Sequence, residues 1–483
     1  MLCNLRFVKR IQSIIVISLL ISSTSFAQWS ASVNLSPHAV AATLNENMGP
    51  CIAVSGDTVH VVWVDKRSST ASAIFYKRSI DAGLTWNTEV ALTDSNGKAS
   101  FPAIAVSGSS VHVVWMDSLG GVRVSDYKRS LDGGATWGAF AVIDSNSAFW
   151  PGVAASGNLV IVSLNLQDSI ANTEVHCRRS LNNGTTWLAK QRLSHAAGRS
   201  EDPSMAIINN NVHLAWNDNR SGSMQIYYIH SSDQGATWGA ETQVGPNSSY
   251  STQVSQNGNN ADVVYGNNAT GNYDVFFRNS IDTGATWVSS ASQLTTDLFH
   301  EAYPFLARDG NRLHLTYYQL SGMKSPYYMY SGDGGATWST PLSMGNGGQP
   351  FVAYTGCVVH IIYPDSATQQ IFYRRNPTAN AGGCSTTFTE NKPMVTSGLT
   401  LAVNPTIFNE QTKIEFSLPE DGNISMKIVD CYGRIIAIPL EGIYNAGTNY
   451  SVTFDASKLP SGIYLCRLTT QNSSETAKMV IRK

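Results

Sequence analysis

Charge and long apolar runs are both scarce in this sequence. Of its 483 residues only 14% are charged, 32 basic side chains stand against 34 acidic ones, and the formal net charge is -2. With no basic run beyond the first ten residues, the chain lacks the electrostatic footprint of a nucleic-acid binder, and its charge balance argues against polyanion partners generally. The one apolar run, IIVISLLISS, is too short to span a bilayer, so no membrane-spanning segment is expected. That run follows Arg6, Lys9 and Arg10 and precedes Ser25-Phe26-Ala27, the pattern of a secretory signal over residues 1–27. Cysteine is sparse as well: beyond Cys3, the six at 51, 177, 357, 384, 431 and 466 are spaced too widely for a disulfide framework. None has metal-ligand spacing, so neither a metal nor a cofactor is expected. What the chain has instead is glycine, 39 residues, and 10% aromatics, a mixture suited to many short strands joined by tight turns.

The strongest feature is an internal repeat. The octets SIDAGLTW, SLDGGATW, SLNNGTTW, SSDQGATW, SIDTGATW and SGDGGATW begin at Ser79, Ser130, Ser180, Ser231, Ser280 and Ser331. Their third residues, Asp81, Asp132, Asn182, Asp233, Asp282 and Asp333, recur at intervals of 51, 50, 51, 49 and 51 residues, which marks one supersecondary unit per copy. Around each octet lie an apolar strand such as PAIAVSG, a strand such as VHVVW, an aromatic strand such as IFYKRS, and a closing strand such as WNTEVALT. A four-stranded antiparallel meander of this kind buries both faces only by stacking against its copies, and radial stacking is the propeller solution. The octets count six blades, but QPFVAYTGCVVHIIYPDS and QQIFYRRN supply three strands of a seventh, and QWSASVNLS from Gln28 supplies its fourth. The fold expected is therefore all-β: a seven-bladed β-propeller over 28–378, with six blades as the alternative, closed by the N-terminal strand.

The octet resembles the Asp box, Ser-x-Asp-x-Gly-x-x-Trp, of the sialidase and BNR-repeat propellers. Its chemistry is that of a turn: the short acid or Asn182 bonds backbone N–H groups, glycine supplies positive φ, and tryptophan packs between sheets. The resemblance implies that these boxes lie away from any active site. Residues 400–483 resemble the C-terminal sorting domain of the type IX secretion system of Bacteroidota, through Asn404-Pro405, IEFSLPEDG, KIVDCYGR, NAG, FDASKLPSGIYLCRL and the basic end KMVIRK. A small β-sandwich is expected there, after a linker over 379–399. The resemblance implies passage through the type IX machinery and a protein secreted or displayed on the outer-membrane surface of a Bacteroidota-type bacterium.

In each meander the octet turn shares an end with the turn joining strands one and two, so long variable loops gather at the opposite end, where function is expected. Prolines mark the start of most first strands there, and the residues before them contribute Phe101, Trp150 and Tyr303 as flat faces and Glu201, Asp202 and Glu301 as carboxylates. Aromatic faces beside carboxylates suit a sugar, and Glu201 with Glu301 are the candidate catalytic acid and base. Arg67, Arg199 and Arg220 are the candidate carboxylate clamp, since guanidinium forks match carboxylates. The strand-two histidines, His60, His112, His213, His314 and His360, read as repeated packing. The function expected is an exported, surface-delivered binding propeller for a glycan or protein; a sialidase-like exo-glycoside hydrolase and a structural surface component are the alternatives.

Overall fold

The computed structural model describes residues 29–377 and 399–482, apart from 46–48, 67–70, 95–96, 120, 146–147, 170–171, 322–323, 356–357, 419–421, 431–433, 445–448, 458 and 471–473. The expected signal segment, the linker up to residue 398, Arg67, Cys357, Cys384 and Cys431 lie outside the described residues. The chain divides into two compact units, Met1–Thr387 and Phe388–Lys483, both all-β.

Among the described residues the first unit holds seven sheets. The fourth blade shows the pattern: Ser200–Ile208, Asn211–Asp218, Gln225–Ser231 and Thr242–Gly245 pair in chain order, each antiparallel to the last. The blade over residues 42–91 has a fifth strand, Ala42–Thr43, beside Thr58–Asp65. In the last blade Phe351–Thr355, Val358–Pro364 and Ile371–Asn376 take Val33–Asn34 as their fourth strand, with Val33 opposite Tyr373. The first strands of successive blades are neighbours all the way round, and Phe351–Thr355 meets Ile52–Ser55 to close the ring. The blades are numbered here 1 to 7 from Ile52–Ser55.

Each octet is a self-bonded turn that also forms the seam between blades. In blade 1 the Gly83 N–H donates to Ser79 Oγ (2.8 Å) and the Thr85 N–H to Asp81 Oδ1 (2.9 Å). Hydrogen bonds to its ionised form hold the Asp81 carboxyl below its usual range. Asn182 accepts the Thr186 N–H at the same 2.9 Å, which explains why blade 3 tolerates the change. Gly134 requires its lack of a side chain twice over: φ is 80°, and a Cβ would stand 1.9 Å from the Tyr76 hydroxyl of the preceding blade. Trp137 meets the same Tyr76 edge to face at 4.8 Å, as Trp86 meets Tyr373 at 4.9 Å across the ring closure.

The strand-two histidines belong to this seam. His60, His112, His213, His314 and His360 each bond through Nδ1 to the hydroxyl of the seam tyrosine of their own blade, at 2.6 to 2.8 Å. Burial pushes them down, His60 to about 4 and His360 to about 3, so they are neutral bonding groups. Blade 3 replaces the pair with Ile161 and Cys177, both buried, and Trp238 packs against that apolar substitute. Blade 5 replaces it with Asp262 and Phe277, and Asp262 instead accepts two bonds from Arg308 of blade 6, with Asp262 0% and Arg308 2% exposed.

The second unit is a sandwich of a three-stranded sheet, Thr400–Asn404, Gln411–Ser417 and Asn449–Asp455, and a five-stranded one built on Gly422–Asp430, Gly462–Thr469 and Ser474–Ile481. Alternation places Ile414, Phe416, Met426, Ile428, Cys466 and Leu468 in its core. Among the described residues no helix is long and apolar enough to cross a membrane.

Candidate functional site

The octet turns lie at one end of the propeller, as the Ala82 N–H bonding to Asp57 O and its equivalents in the other blades demonstrate. At the other end the first strands carry a repeated irregularity. Blades 2 to 6 each insert one extra residue between the pairs Ser100/Ala103, Phe149/Gly152, Glu201/Ser204, Tyr250/Gln253 and Ala302/Phe305. The bulged residues are Phe101, Trp150, Asp202, Ser251 and Tyr303, all in the left-handed region with φ from 46° to 55°. None is glycine and four precede a residue that restrains them, proline, so the backbone is strained at five equivalent places. Such bulges re-aim side chains and concentrate where a site is built.

A cleft of about 240 Å³ opens at this end between blades 2, 3 and 4, lined by Arg123, Phe149, Trp150, Gln167, Thr173, Arg199 and Glu201. The second strands of blades 2 and 3, Ser110–Leu119 and Leu159–Ser169, are longer than those of the other blades and raise the wall on that side. Arg123 lies over the Phe149 ring at 4.3 Å, and Phe149 meets Trp150 at 5.9 Å. Arg199, 47% exposed, bonds the carboxylate of Glu201, and its own N–H is fixed by Asn219 Oδ1 at 2.6 Å. Two guanidinium groups and one carboxylate leave the cleft with one net positive charge beside two aromatic faces.

The structure thus brings Trp150, Arg199 and Glu201 together, with Phe101 edge-on to Trp150 at 6.4 Å. Asp202 is adjacent: its Oδ2 accepts from Asn217 (3.0 Å), and burial, with Glu201 beside it, pushes its carboxyl up to about 7. Tyr303 holds the equivalent bulge two blades away. Arg220 is consumed elsewhere, bonding Asp218 and Glu241 and lying 3.8 Å over Tyr227. Glu301 does not join Glu201. It pairs with Gln319, one register step before the position of Glu201, so its side chain leaves the opposite face of its strand and is 0% exposed beside Thr295 and Gln319. Arg123, Phe149, Gln167 and Thr173 escaped sequence reasoning; the signal for them was the longer hairpin arms of blades 2 and 3. Among the described residues no group of three His, Cys, Asp or Glu side chains is arranged to hold a metal ion.

Burial, with Asp297 and Asp274 nearby, raises the Glu301 carboxyl from 4.5 to about 8. An acid raised on folding is most favourable below its unfolded value and costs stability as the pH climbs toward the folded one. Glu301→Gln is therefore expected to stabilise the propeller by about 2 kcal/mol at pH 7 and by nothing near pH 4.5, read as urea midpoints at the two pH values.

The comparisons with known proteins bear on both units. Residues 403–482 match the secretion system C-terminal sorting domain family, so the chain carries the tail that marks a protein for export through the type IX machinery. No curated protein matches the chain in sequence. Among solved structures, an ulvan lyase of polysaccharide lyase family PL25, bound to -[GlcA(1-4)Rha3S]-, aligns with TM-score 0.50 at 8% identity, covering 71% of this chain and 96% of its own. The endosialidase of phage phi92 aligns with TM-score 0.43 at 9% identity (92% and 87% covered), and Trypanosoma rangeli sialidase with 0.40 at 10% (94% and 90%). At 8% identity what the alignment with the ulvan lyase shows is a shared fold alone, the ring of four-stranded sheets described above.

Proposed function

We propose that this is an exported binding protein of a Bacteroidota-type cell surface whose propeller takes an anionic saccharide in the cleft between blades 2, 3 and 4. The observation that carries the reading is the placement of Arg123 and Arg199 around the Phe149 and Trp150 faces. Rigid aromatic faces pack a sugar ring, and a guanidinium fork matches its carboxylate or sulfate. The near-zero net charge of the chain argues against polyanion partners only as an average, since recognition depends on the local charge of the cleft. Binding is favoured over hydrolysis because Glu201 is held by Arg199 and the second candidate acid, Glu301, faces away from it. The fork of Arg220 is already satisfied, so the three-arginine clamp of the sialidase resemblance is not assembled by Arg199 with Arg220.

Calorimetric titration with glucuronate-containing and neutral oligosaccharides tests this. Only the acidic ligands are expected to bind, and Arg123→Ala should weaken them by roughly tenfold or more, the worth of a charged hydrogen bond. Equal binding of neutral sugars, or an Arg123→Ala variant as tight as the parent, would remove the reading.

A further inference from the structure

The loop end offers a second surface that the cleft does not use. Tyr250 of blade 5 occupies the position held by Phe149 in blade 3 and Glu201 in blade 4: each is the last paired residue before the bulge, opposite Gly266, Asn165 and Asn217 respectively. Three neighbouring blades therefore present their side chains at one height, and the cleft lies at one end of that arc. Tyr250 is 36% exposed and meets Tyr273 at 5.6 Å and 74°, and Tyr273 meets His300 at 5.7 Å. The stack is held from behind, because His300 Nδ1 accepts the Tyr273 N–H (3.1 Å) and His300 O accepts the Leu320 N–H (2.7 Å). A face fixed in this way loses little freedom on meeting a ligand.

Two observations specify the occupant. First, the space enclosed by the first strands of five blades, lined by Pro50, Gly152, Pro203, Gln253 and Phe305 among others, is only about 30 Å³. That leaves room for ordered water but not for a sugar ring, which points to a saccharide lying across the mouth. Second, charge changes sign along the arc: the cleft carries Arg123 and Arg199, whereas the exposed charged group beside the tyrosine stack is Asp297, whose O accepts the Asn272 side-chain amide at 3.0 Å and whose Oδ1 accepts the Phe299 N–H at 2.8 Å. A second acidic sugar would be repelled there, while an uncharged ring would stack.

We infer that the arc from Arg123 to Tyr250 is a binding track for the interior of a polysaccharide in which acidic and uncharged sugars alternate, with the acidic sugar in the cleft and the uncharged one on Tyr250 and Tyr273. This rests on the anionic-saccharide reading of the cleft and adds the second subsite and the engagement of a chain.

The test uses the full chain with free glucuronate, which fills the cleft alone, and with octasaccharides of hyaluronan and chondroitin, which alternate acid and neutral sugars, and of alginate, which is acidic throughout. The alternating octasaccharides are expected to bind about tenfold more tightly than glucuronate, from one added aromatic contact. Tyr250→Ala should erase that gain while leaving glucuronate affinity unchanged, and Tyr250→Phe should keep it. Octasaccharides no tighter than glucuronate, or alginate gaining as much as the alternating chains, would overturn the track and leave the cleft standing. Failure of every acidic ligand to bind would overturn both. Loss of glucuronate binding in Tyr250→Ala with an unchanged circular dichroism spectrum would place Tyr250 in the cleft itself and also refute a separate subsite.

Discussion

Deleting Trp29–Ser36 is expected to abolish the cooperative thermal transition of the propeller. The eight residues are few, but their contacts belong to the one blade that the chain assembles from both ends. Leu35 and Ser36 are 0% exposed; Leu35 N–H bonds Ile371 O at 2.8 Å, Ser36 Oγ accepts the Ile371 N–H at 2.8 Å, and Trp29 packs edge to face on Tyr328 at 4.9 Å. Without them Ile371–Asn376 becomes a long unpaired edge, and buried backbone groups lose their partners. The loss is not local, because a ring with one incomplete blade can open at that seam. Leu35→Asp tests the same point without truncation, by burying a charge where the closing strand meets blade 7. A cooperative melt at the parental temperature in both variants would mean that the ring closes without this strand.

Arg308→Ala is expected to destabilise the propeller by about 3–5 kcal/mol, far more than an exposed arginine would. The Asp262 carboxylate is fully buried, and Arg308 supplies both of its ion-pair bonds, at 2.5 and 2.7 Å. Removing the guanidinium leaves an unpaired charge inside the seam between blades 5 and 6. Asp262→Asn in the same chain should return part of the loss by removing that charge, a coupling that a double-mutant cycle measures. A single Arg308→Ala effect below about 1 kcal/mol in chemical denaturation would show that the pair carries no such burden.

These two cases mark how far the sequence could be read. The octets gave the period, and the missing fourth strand of QPFVAYTGCVVHIIYPDS, with QWSASVNLS at the other end of the chain, gave the ring closure. That reading works because a blade is local in sequence, so pattern and register coincide. Asp262 stood out as a break in the histidine series, but its partner Arg308 lies on the next blade, at a position filled elsewhere by Val106, Ala155 and Ile207, and nothing in the period links the two. The site follows the same division. Trp150, Arg199 and Glu201 were visible as chemistry beside the proline-marked strand starts. Whether they meet depends on register: one step separates Glu201, which faces the cleft, from the level of Glu301, which faces the blade interior. Arg123 and Phe149 needed the bulges and the longer arms of blades 2 and 3, which displace side chains in ways that alternation alone does not convey.

The tyrosine that fills the space above four of the octet glycines, Gly83, Gly134, Gly184 and Gly284, has a consequence for how this molecule can diversify. Tyr373 of blade 7 stands over Gly83 of blade 1 as Tyr76 stands over Gly134, so covalent order and spatial order part company: the ring has a sequence of neighbours but no first member. A seam confined to one end of such a belt leaves the opposite rim outside the locking mechanism. Arginines, tyrosines or bulges can be exchanged on that rim blade by blade, each change felt by its neighbours in the arc and by none of the joints that keep the belt closed.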